Sequence, residues 1–484
     1  MRTLDWVILL AYGALLILIG WRASRGQRTG EGHLRADRAL PAWAAIFSVL
    51  ATEVSAATYI GVPESAYVGD WTYLQFAIGA LIGKWALSVW FIRLYWRLNL
   101  HTVYGFLGQR IGPGAQRASA LAFLVGRLIA SGVRLFIVAL AFSVVTGFSL
   151  HGAIVLMTVL STVYTLLGGL KAVVWTDVAQ GTIFALGATV ALAVGLAKLG
   201  LPIGQVLSEA WEAGKLQVLA LDPGPAGWLA SVRPLPVAVL GGFFLTLATH
   251  GTDQENVQHM LNTRSERSSG RTVVGSGFLT FPIVALFLAV GTMLWAFHQH
   301  VRVAAYPSDD TKRIFPNFIM HVLPPGVRGL VFAGLFAAAI SSLGATLNST
   351  TAAWTSDLRP GRGGGLLRVR LITVVFGALL GLVGFLFAWY TGDKAEQLIQ
   401  IALSAMTILY GGILGGFLVA LLSHRRGSDR SVMLGMAAGV AAGAVLFFQE
   451  ELFGLERKLL GWPWFIPISA ALAVLVAITR RRRR

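Results

Sequence analysis

The stretch Phe47–Pro63, FSVLATEVSAATYIGVP, places a carboxylate and several hydroxyl groups inside an otherwise apolar segment. Glu53 lies near its middle, with Thr52, Ser55 and Thr58 close by. An acidic side chain at the centre of a membrane helix costs about 2.5–3.5 kcal/mol on insertion scales, so it rarely faces lipid. Hard cations such as Na⁺ prefer carbonyl and hydroxyl oxygens. If this segment spans a membrane, its polar groups therefore indicate an ion or solute site.

Two interpretations of Glu53 follow from its setting. Unwinding of the helix near Glu53 would free the backbone carbonyls of Ala51 and Val54, which are three residues apart and lie on one face. Alternatively, Glu53 is ion-paired to an intramembrane arginine and only holds helices together. The candidate partners are Arg127 and Arg134 in LAFLVGRLIASGVRLFIVALAF, which are two helical turns apart.

These two arginines have alternative roles of their own. A guanidinium in the membrane can bind a carboxylate on a solute. It can equally neutralise a buried acidic side chain. The candidates for that side chain are Glu53, Asp177 and Asp253. The sequence slightly favours neutralisation.

Two further segments carry oxygen atoms at helical spacing. In LFAAAISSLGATLNSTTAAWTSDL, a carbonyl at Ala338 and hydroxyls at Ser341 and Ser342 share one helix face, although small residues there also suit close helix packing. In YTLLGGLKAVVWTDVAQG, a Gly-Gly turn precedes Asp177, which either caps a helix or lies about one turn inside it as a titratable ligand.

The composition identifies the surroundings of these residues as a bilayer. The 484-residue chain is 56% hydrophobic and 13% charged, too little charge to cover a soluble protein of this size. We predict an all-α polytopic membrane protein with about 13 transmembrane helices. The predicted spans are 4–21, 43–66, 72–97, 117–147, 151–169, 172–197, 235–261, 273–297, 329–356, 368–390, 395–423, 431–449 and 464–479.

Charge and residue usage exclude several classes of function. The net charge of +17 comes from arginines clustered in alternate loops, which predicts an extracytoplasmic N-terminus and a cytoplasmic C-terminus rather than nucleic-acid binding. The chain has no cysteine, its nine histidines form no HExxH motif, and no nucleophile–base arrangement is apparent. An enzyme is therefore not expected. The expected location is the cell (inner or plasma) membrane, with a monomer as the default state.

The second and seventh predicted spans are each interrupted by glycine and polar residues. In the seventh, VAVLGGFFLTLATHGTDQENVQHML, apolar sequence gives way to HGTDQENVQ. Paired interrupted helices in two halves of a chain are the best sequence pointer to a transporter's binding site, although the seventh could simply end there. The predicted organisation is an N-terminal helix and loop (1–42), a first repeat (43–198), an extracytoplasmic loop (199–234), a second repeat (235–424) and two C-terminal helices with a basic tail (425–484).

Four motifs together resemble the sodium/solute symporter family. They are ATEVSAATYIG, GGLKAVVWTDVAQ, GTDQENVQ and AAAISSLGATLNSTT, in that order along nearly the whole chain. The resemblance implies a LeuT-type five-plus-five inverted repeat, with one extra N-terminal and two extra C-terminal helices. It also implies a sodium site made by Ala51, Val54, Ala338, Ser341 and Ser342.

The resemblance is less complete elsewhere. Some members of the family have a second sodium site that uses the aspartate at the position of Asp177 and further serines. Here those further positions are Gly344 and Ala345, which lack side-chain oxygens, so Asp177 and Glu53 are only possible second-ion or coupling residues. The predicted solute contacts are Thr58, Gln75, Arg134, Asp253 and Gln254, several of them expected to face one another near the midplane.

The resulting hypothesis is a sodium-coupled secondary active transporter that imports a small polar organic solute by alternating access. A sugar, an amino acid and a small carboxylate all stay open as the solute. A proton-coupled carrier that protonates Glu53 is the alternative. A membrane sensor or a channel is a weaker one.

Overall fold

The computed structural model describes residues 2–25, 29–36, 40–53, 56–301, 311, 314–359, 365–389, 395–423 and 425–480. In the first half, the helices are α1 (Thr3–Ser24), α2 (Gly30–Arg35), α3 (Ala42–Glu53), α4 (Ala56–Val68), α5 (Leu74–Leu87), α6 (Arg93–Arg97), α7 (Tyr104–Arg110), α8 (Pro113–Thr146), α9 (Leu150–Leu199), α10 (Ile203–Glu212) and α11 (Gly227–Ala230). In the second half, they are α12 (Leu235–Gly251), α13 (Gln254–Leu261), α14 (Glu266–His300), α15 (Ile314–His321), α16 (Val327–Ala353), α17 (Leu366–Trp389), α18 (Ala395–Leu422), α19 (Asp429–Phe447), α20 (Gln449–Phe453) and α21 (Phe465–Ala477).

The helices of the described residues account for the predicted membrane spans. Nine helical stretches are long and apolar enough to cross a membrane, and α3 with α4 forms a tenth if that bent pair is one span. The 50-residue α9 contains two predicted spans, because it changes direction at Gly169. Two shorter apolar stretches, Met406–Leu422 and Trp462–Ala477, correspond to the eleventh and thirteenth predicted spans. The prediction of an all-helical polytopic membrane protein is confirmed.

Both helices that the sequence marks as interrupted are broken in the structure. The axes of α3 and α4 are bent by 64° relative to each other. The second break separates α12 from α13, where Asp253 has an extended backbone and its Oδ1 accepts a hydrogen bond of 2.9 Å from the backbone N–H of Glu255. Asp253 is thus the N-terminal cap of a new helix. The alternative that the seventh span simply ends near Thr249 is wrong.

The helix α16 lies at the centre of the bundle. Within its most apolar window, 94% of the residues are buried, against 33% for the neighbouring α17. It packs along α9 and also contacts α1, α3 and α8. Its small residues, in the run AAAISSLGA, allow this close approach on all sides. Any polar side chain on α16 therefore faces protein rather than lipid.

The kink in α9 depends on a single glycine. Gly169 has φ +51° and ψ −148°, which only glycine adopts readily. The backbone carbonyl of His33, in α2, lies against its Cα, where a Cβ would overlap it. Burial, and secondarily the charge of Arg370, lower the pKa of His33 to about 4, so this packed imidazole is neutral at pH 7. The kink redirects the second half of α9 towards α3 and α16.

We expect Gly169→Ala to destabilise the protein more than Gly200→Ala. Both glycines have positive φ, but nothing lies within 4 Å of a Cβ at Gly200. The left-handed backbone of Gly200 costs a residue with a side chain about 1–2 kcal/mol. The backbone conformation of Gly169 is close to a region that is essentially restricted to glycine, so it costs at least as much. Overlap with His33 adds about 1–3 kcal/mol at Gly169 only. Thermal unfolding of the purified variants, followed by tryptophan fluorescence, measures the difference. Equal losses would show that α2 moves aside at no cost.

Candidate functional site

A buried carboxylate joins three helices at the middle of the bundle. Asp177 lies about two turns after the kink in α9, so the interpretation of this residue as a helix cap is wrong. Its two oxygens accept hydrogen bonds from the hydroxyls of Ser48 in α3 and Ser341 in α16. Ser48 Oγ also lies 2.8 Å from Nδ1 of His259 in α13. Both broken helices therefore converge on Asp177 through hydroxyl and imidazole groups.

The charge of Asp177 is not balanced by a neighbouring cation. Among the described residues, no lysine or arginine forms an ion pair with it, and its side chain is fully buried. Burying an ionised carboxylate is strongly unfavourable unless it is paired or binds a metal ion. Two neutral hydroxyl donors compensate only part of that penalty. When it is ionised, Asp177 therefore makes the site electronegative and suited to a cation.

A small cavity lies next to this carboxylate. Its volume of about 20 Å³ is enough for one water molecule or a dehydrated ion of similar size. The lining residues come from α3, α9, α14 and α16 and are Leu50, Ala51, Gln180, Gly181, Phe184, Ile283 and Ser341. The structure thus brings together Ala51 and Ser341, two of the predicted sodium ligands that are distant along the chain.

The other predicted sodium ligands are placed as follows. Ser342 is buried beside Ser341, and its hydroxyl makes no hydrogen bond with the described part of the chain. Ala338 lies in α16, one helical turn before Ser342, so its carbonyl is on the same helix face. Val54 lies outside the described residues. The hydroxyls of Thr162, Thr272 and Ser469 are likewise buried without a partner among the described residues, so it is the position of Ser342 beside Ser341 that makes it a candidate ligand.

Glu53 is the centre of a second polar cluster. Its Oε1 lies 2.5 Å from Nζ of Lys84 in α5 and 2.7 Å from Nε2 of His250 in α12. Lys84 also donates to Ser276 Oγ at 3.1 Å, and Thr280 Oγ1 lies 3.4 Å from Glu53 Oε2. The expected ion pair therefore exists, but the expectation of an arginine partner is wrong. The sequence feature that indicates Lys84 as the partner is its place as a lone lysine in the apolar sequence LIGKWAL.

Arg127 neutralises acidic residues at the start of α13. Its guanidinium is ion-paired with Asp253 and lies 3.3 Å from Oε1 of Glu255. Tyr410 also donates a hydrogen bond to Asp253, at 2.7 Å. The prediction that this arginine balances a buried carboxylate is correct for Asp253. The roles of Glu255 and Tyr410 could not be anticipated, because neither residue stands out in its own segment.

The predicted solute contacts do not form one cluster. The Gln75 side chain is bonded to the backbone of the loop before α12, with Nε2 2.9 Å from Arg233 O. Gln254, at the other end of α12, accepts from the backbone N–H of Val103 at 2.8 Å. The expectation that Gln75 and Gln254 face one another is wrong, because the 17 residues of α12 separate their surroundings. Thr58 lies half-buried in α4.

Arg134 is the second of the two arginines that stand out in the sequence of α8. Its side chain is half-buried and forms no ion pair or hydrogen bond with the described residues. Three residues earlier on α8, Ser131 Oγ lies 2.9 Å from Thr346 Oγ1 of α16. Since α8 is the fourth span and α16 the ninth, the two helices run in opposite directions. Ser342 lies one turn before Thr346 on α16. Arg134 is therefore level with Ser342, meaning that the two residues lie at the same height along the antiparallel helix axes.

The same architecture occurs in solved membrane transporters. A Na⁺-coupled sialic acid symporter in a substrate-bound, outward-open state superposes with a TM-score of 0.87, at 24% sequence identity and over 99% of this chain and 97% of that one. The nucleobase-cation symporter Mhp1 superposes with a TM-score of 0.57, at 14% identity and over 92% of each chain. The prediction of a LeuT-type fold is confirmed.

Sequence comparison leads to the same class of protein. The chain is 29% identical over 448 residues to the sodium/sialic acid symporter NanT of Aliivibrio fischeri, which covers 91% of this chain and 86% of that protein. It is also 29% identical over 457 residues to the sodium-dependent multivitamin transporter of Oryctolagus cuniculus, covering 91% and 68% respectively. The broken helices, the buried carboxylate and the shared fold define a multi-pass membrane transporter.

A family model assigns this transporter more closely. The chain belongs to the sodium:solute symporter family, whose model matches residues 33–439. The family consists of transporters rather than enzymes, and Na⁺ is its coupling ion. The resemblance carried by the four motifs is therefore correct, and so is the expectation that the chain is not an enzyme.

Proposed function

We propose that this chain couples Na⁺ entry to the import of a small solute that bears a carboxylate, by alternating access. The observation that carries the proposal is the buried, cation-free Asp177 beside the cavity at Ala51 and Ser341. Na⁺ bound there by oxygens of α3 and α16 joins a broken helix to the central helix. Ion binding then favours one arrangement of these helices over another, which is the requirement for coupling.

The proposed sodium ligands are Ala51, Val54, Ala338, Ser341 and Ser342. In support, the cavity between α3 and α16 fits one ion, and Ser342 supplies a buried oxygen with no other described partner. Asp177 contacts Ser341 and contributes negative charge from the adjacent α9. This charge attracts Na⁺ without requiring direct coordination by the carboxylate.

We propose a single Na⁺ per transport cycle. At Gly344, a Cβ would collide with the phenol of Tyr164, whose hydroxyl donates to the carbonyl of Ile340 at 2.9 Å. Gly344 is one of the positions where the family's two-sodium members carry a further serine. Tyr164 therefore fills the space that a serine side chain at this position would need.

The proposed solute class follows from Arg134. This guanidinium is level with Ser342 and forms no ion pair with the described residues, unlike Arg127 on the same helix, although it interacts electrostatically with Glu255 and Asp253 at longer range. A planar guanidinium binds a carboxylate through two parallel hydrogen bonds. Relatives of this chain are named for sialic acid and for monocarboxylates, both of which bear a carboxylate. Asp253 and Gln254 are bound to other groups of the protein and are less suited to this role.

Sodium is favoured over protons because of the surroundings of Glu53. An ammonium donor at 2.5 Å and an imidazole at 2.7 Å share its Oε1, so the carboxylate is held in place by two neighbours. Such a group holds α3, α5, α12 and α14 together rather than exchanging protons with the medium. The proposed orientation keeps the N-terminus extracytoplasmic and the C-terminus cytoplasmic, with the arginine-rich loops inside.

Uptake into proteoliposomes tests the coupling ion. An inward Na⁺ gradient is expected to drive accumulation of labelled sialic acid or of a short monocarboxylate above its external concentration. A proton gradient without Na⁺ is expected to drive none. Accumulation driven by protons alone would refute sodium coupling. Counterflow exchange of labelled for unlabelled solute separates a carrier from a channel, because a simple pore cannot perform it.

We expect Arg134→Gln to raise the KM for the carboxylate solute by about 10- to 100-fold, the effect of losing hydrogen bonds to a charged group. The apparent affinity for Na⁺ in solute-free protein, measured by thermal shift, is expected to be unchanged. Arg430→Gln, in the first turn of α19, is a matched control outside the proposed site. An unchanged KM in Arg134→Gln would refute the solute assignment and leave the sodium site in place.

A further inference from the structure

A groove opens between α1 and the second half of α9, away from the sodium and solute region. Its volume is about 390 Å³, within the range of about 300–1,000 Å³ typical of small-molecule sites. Ile19, Arg22 and Ala23 line it from α1, and Lys171 and Trp175 line it from α9. The groove therefore combines two cationic side chains with an aromatic ring and apolar groups.

The groove is a geometric result of the kink in α9. The helices α1 and α9 cross closely at Gly20 and Gly168, where a Cβ on Gly168 would lie 2.9 Å from the carbonyl oxygen of Gly20. Immediately after this crossing, Gly169 turns the second half of α9 away. The last turn of α1 and the first turns after the kink diverge, and the space between them stays open.

The two basic side chains of the groove are available to bind an anion. Arg22 is exposed and Lys171 is half-buried, and neither is ion-paired within the described part of the chain. By contrast, Lys84 and Arg127 each contact a carboxylate. Two unneutralised cations at one groove attract a negatively charged group.

Tryptophans place the groove at the level of the lipid headgroups. Trp175 packs edge-on against Trp43, with ring centroids 5.5 Å apart, and Trp43 is 50% exposed. On α1, the guanidinium of Arg25 lies 3.9 Å from the ring centroid of Trp21, which is 47% exposed. Exposed tryptophans beside basic residues are typical of the membrane–water interface. The proposed topology assigns this surface to the cytoplasmic leaflet.

We propose that this groove binds the phosphate-bearing headgroup of an anionic phospholipid. Arg22 and Lys171 contact the phosphate, while Ile19, Ala23 and the Trp175 ring pack against the glycerol and the upper acyl chains. Basic pockets between transmembrane helices on the cytoplasmic side suit such headgroups. A bound lipid would fill the space between α1 and α9 and hold them at the kink. The proposal does not depend on the identity of the coupling ion or the solute.

Native mass spectrometry of the purified, delipidated full chain tests this site. Phosphatidylglycerol is expected to bind more tightly than phosphatidylcholine with the same acyl chains. One cation near the membrane surface strengthens the binding of an anionic lipid by about fivefold. Because the two contributions multiply, Arg22→Gln/Lys171→Gln should weaken phosphatidylglycerol binding by about 25- to 30-fold. The charge-conserving Arg22→Lys/Lys171→Arg variant should retain most of the binding. Equal affinity of the wild-type protein for the two lipids would overturn the proposal.

The control is Lys198→Gln, which removes an exposed lysine from the opposite end of the same helix. It is expected to bind phosphatidylglycerol as the wild type does, and an equal loss in this variant would overturn the assignment to the groove. Displacement of the lipid by millimolar inorganic phosphate would show a free-anion site instead.

If the double variant does not fold, a phosphatidylglycerol with a photoreactive headgroup decides the question on the wild type. Crosslinks should map to the segment around Lys171, and their absence there would refute the site.

Discussion

The Lys84→Met variant is expected to lose about 3–5 kcal/mol of stability, which is the typical effect of removing one partner from a buried ion pair. The Lys84 side chain is 1% exposed, and it is the ammonium donor to Glu53 Oε1. Without it, the carboxylate keeps His250 and Thr280 as its side-chain neighbours within hydrogen-bonding range among the described residues. The variant is therefore expected to melt at a markedly lower temperature and to transport little.

A double variant separates charge imbalance from lost packing. Glu53→Gln/Lys84→Met removes both charges and is expected to recover most of the lost stability, because no uncompensated charge is left behind. Lys198→Met, on the exposed surface of α9, controls for the substitution itself. Thermal unfolding in detergent of the wild type, Glu53→Gln, Lys84→Met and the double variant gives the coupling between the two residues. Equal instability of the single and double variants would show that Lys84 acts through packing alone.

The Ser342→Ala variant is expected to raise the Na⁺ concentration needed for half-maximal uptake by about 10- to 100-fold, the effect of losing one oxygen from a charged ligand. The Ser342 hydroxyl makes no hydrogen bond with the described residues, so its removal breaks no contact seen in the structure. A reduced sodium affinity would then report on ion binding and not on folding. The maximal rate at saturating Na⁺ is expected to change much less.

Ser349→Ala provides a matched control on the same helix. Its hydroxyl donates to the carbonyl of Thr346 within α16 at 3.1 Å and lies outside the proposed site. Its sodium dependence is expected to equal that of the wild type. Sodium-dependent uptake in proteoliposomes, measured over a range of Na⁺ concentrations, compares the three proteins. An unchanged half-maximal concentration in Ser342→Ala would remove this residue from the sodium site.

The elements of the fold could be predicted because each depends on local sequence. Spans are visible as apolar runs, and the break before α13 is visible as the polar run HGTDQENVQ with its capping aspartate. The Gly-Gly pair in α9 likewise marks the turn there, where Gly169 departs from the helical conformation. Helical spacing alone places the carbonyl of Ala338 and the hydroxyls of Ser341 and Ser342 on one face.

The partners of polar residues could not be predicted as well, because they are set by contacts between distant helices. Glu53 pairs with Lys84, 31 positions away, although two arginines were the more conspicuous candidates. The sequence predicts Gln75 in the solute region, yet its side chain bonds to the loop that follows α11. In both cases, the register of one helix against another decides the contact. A single sequence does not contain that register.

The phenol of Tyr164, packed against Gly344, has a consequence for the energetics of transport. If it restricts the cycle to one Na⁺, and Arg134 selects a solute with a single negative charge, the two charges cancel and each turnover is electroneutral. A membrane potential of 100 mV supplies about 2.3 kcal/mol to each net charge moved, and here it would supply nothing. Accumulation would then follow the chemical gradient of Na⁺ alone, and a de-energised cell could still retain its solute.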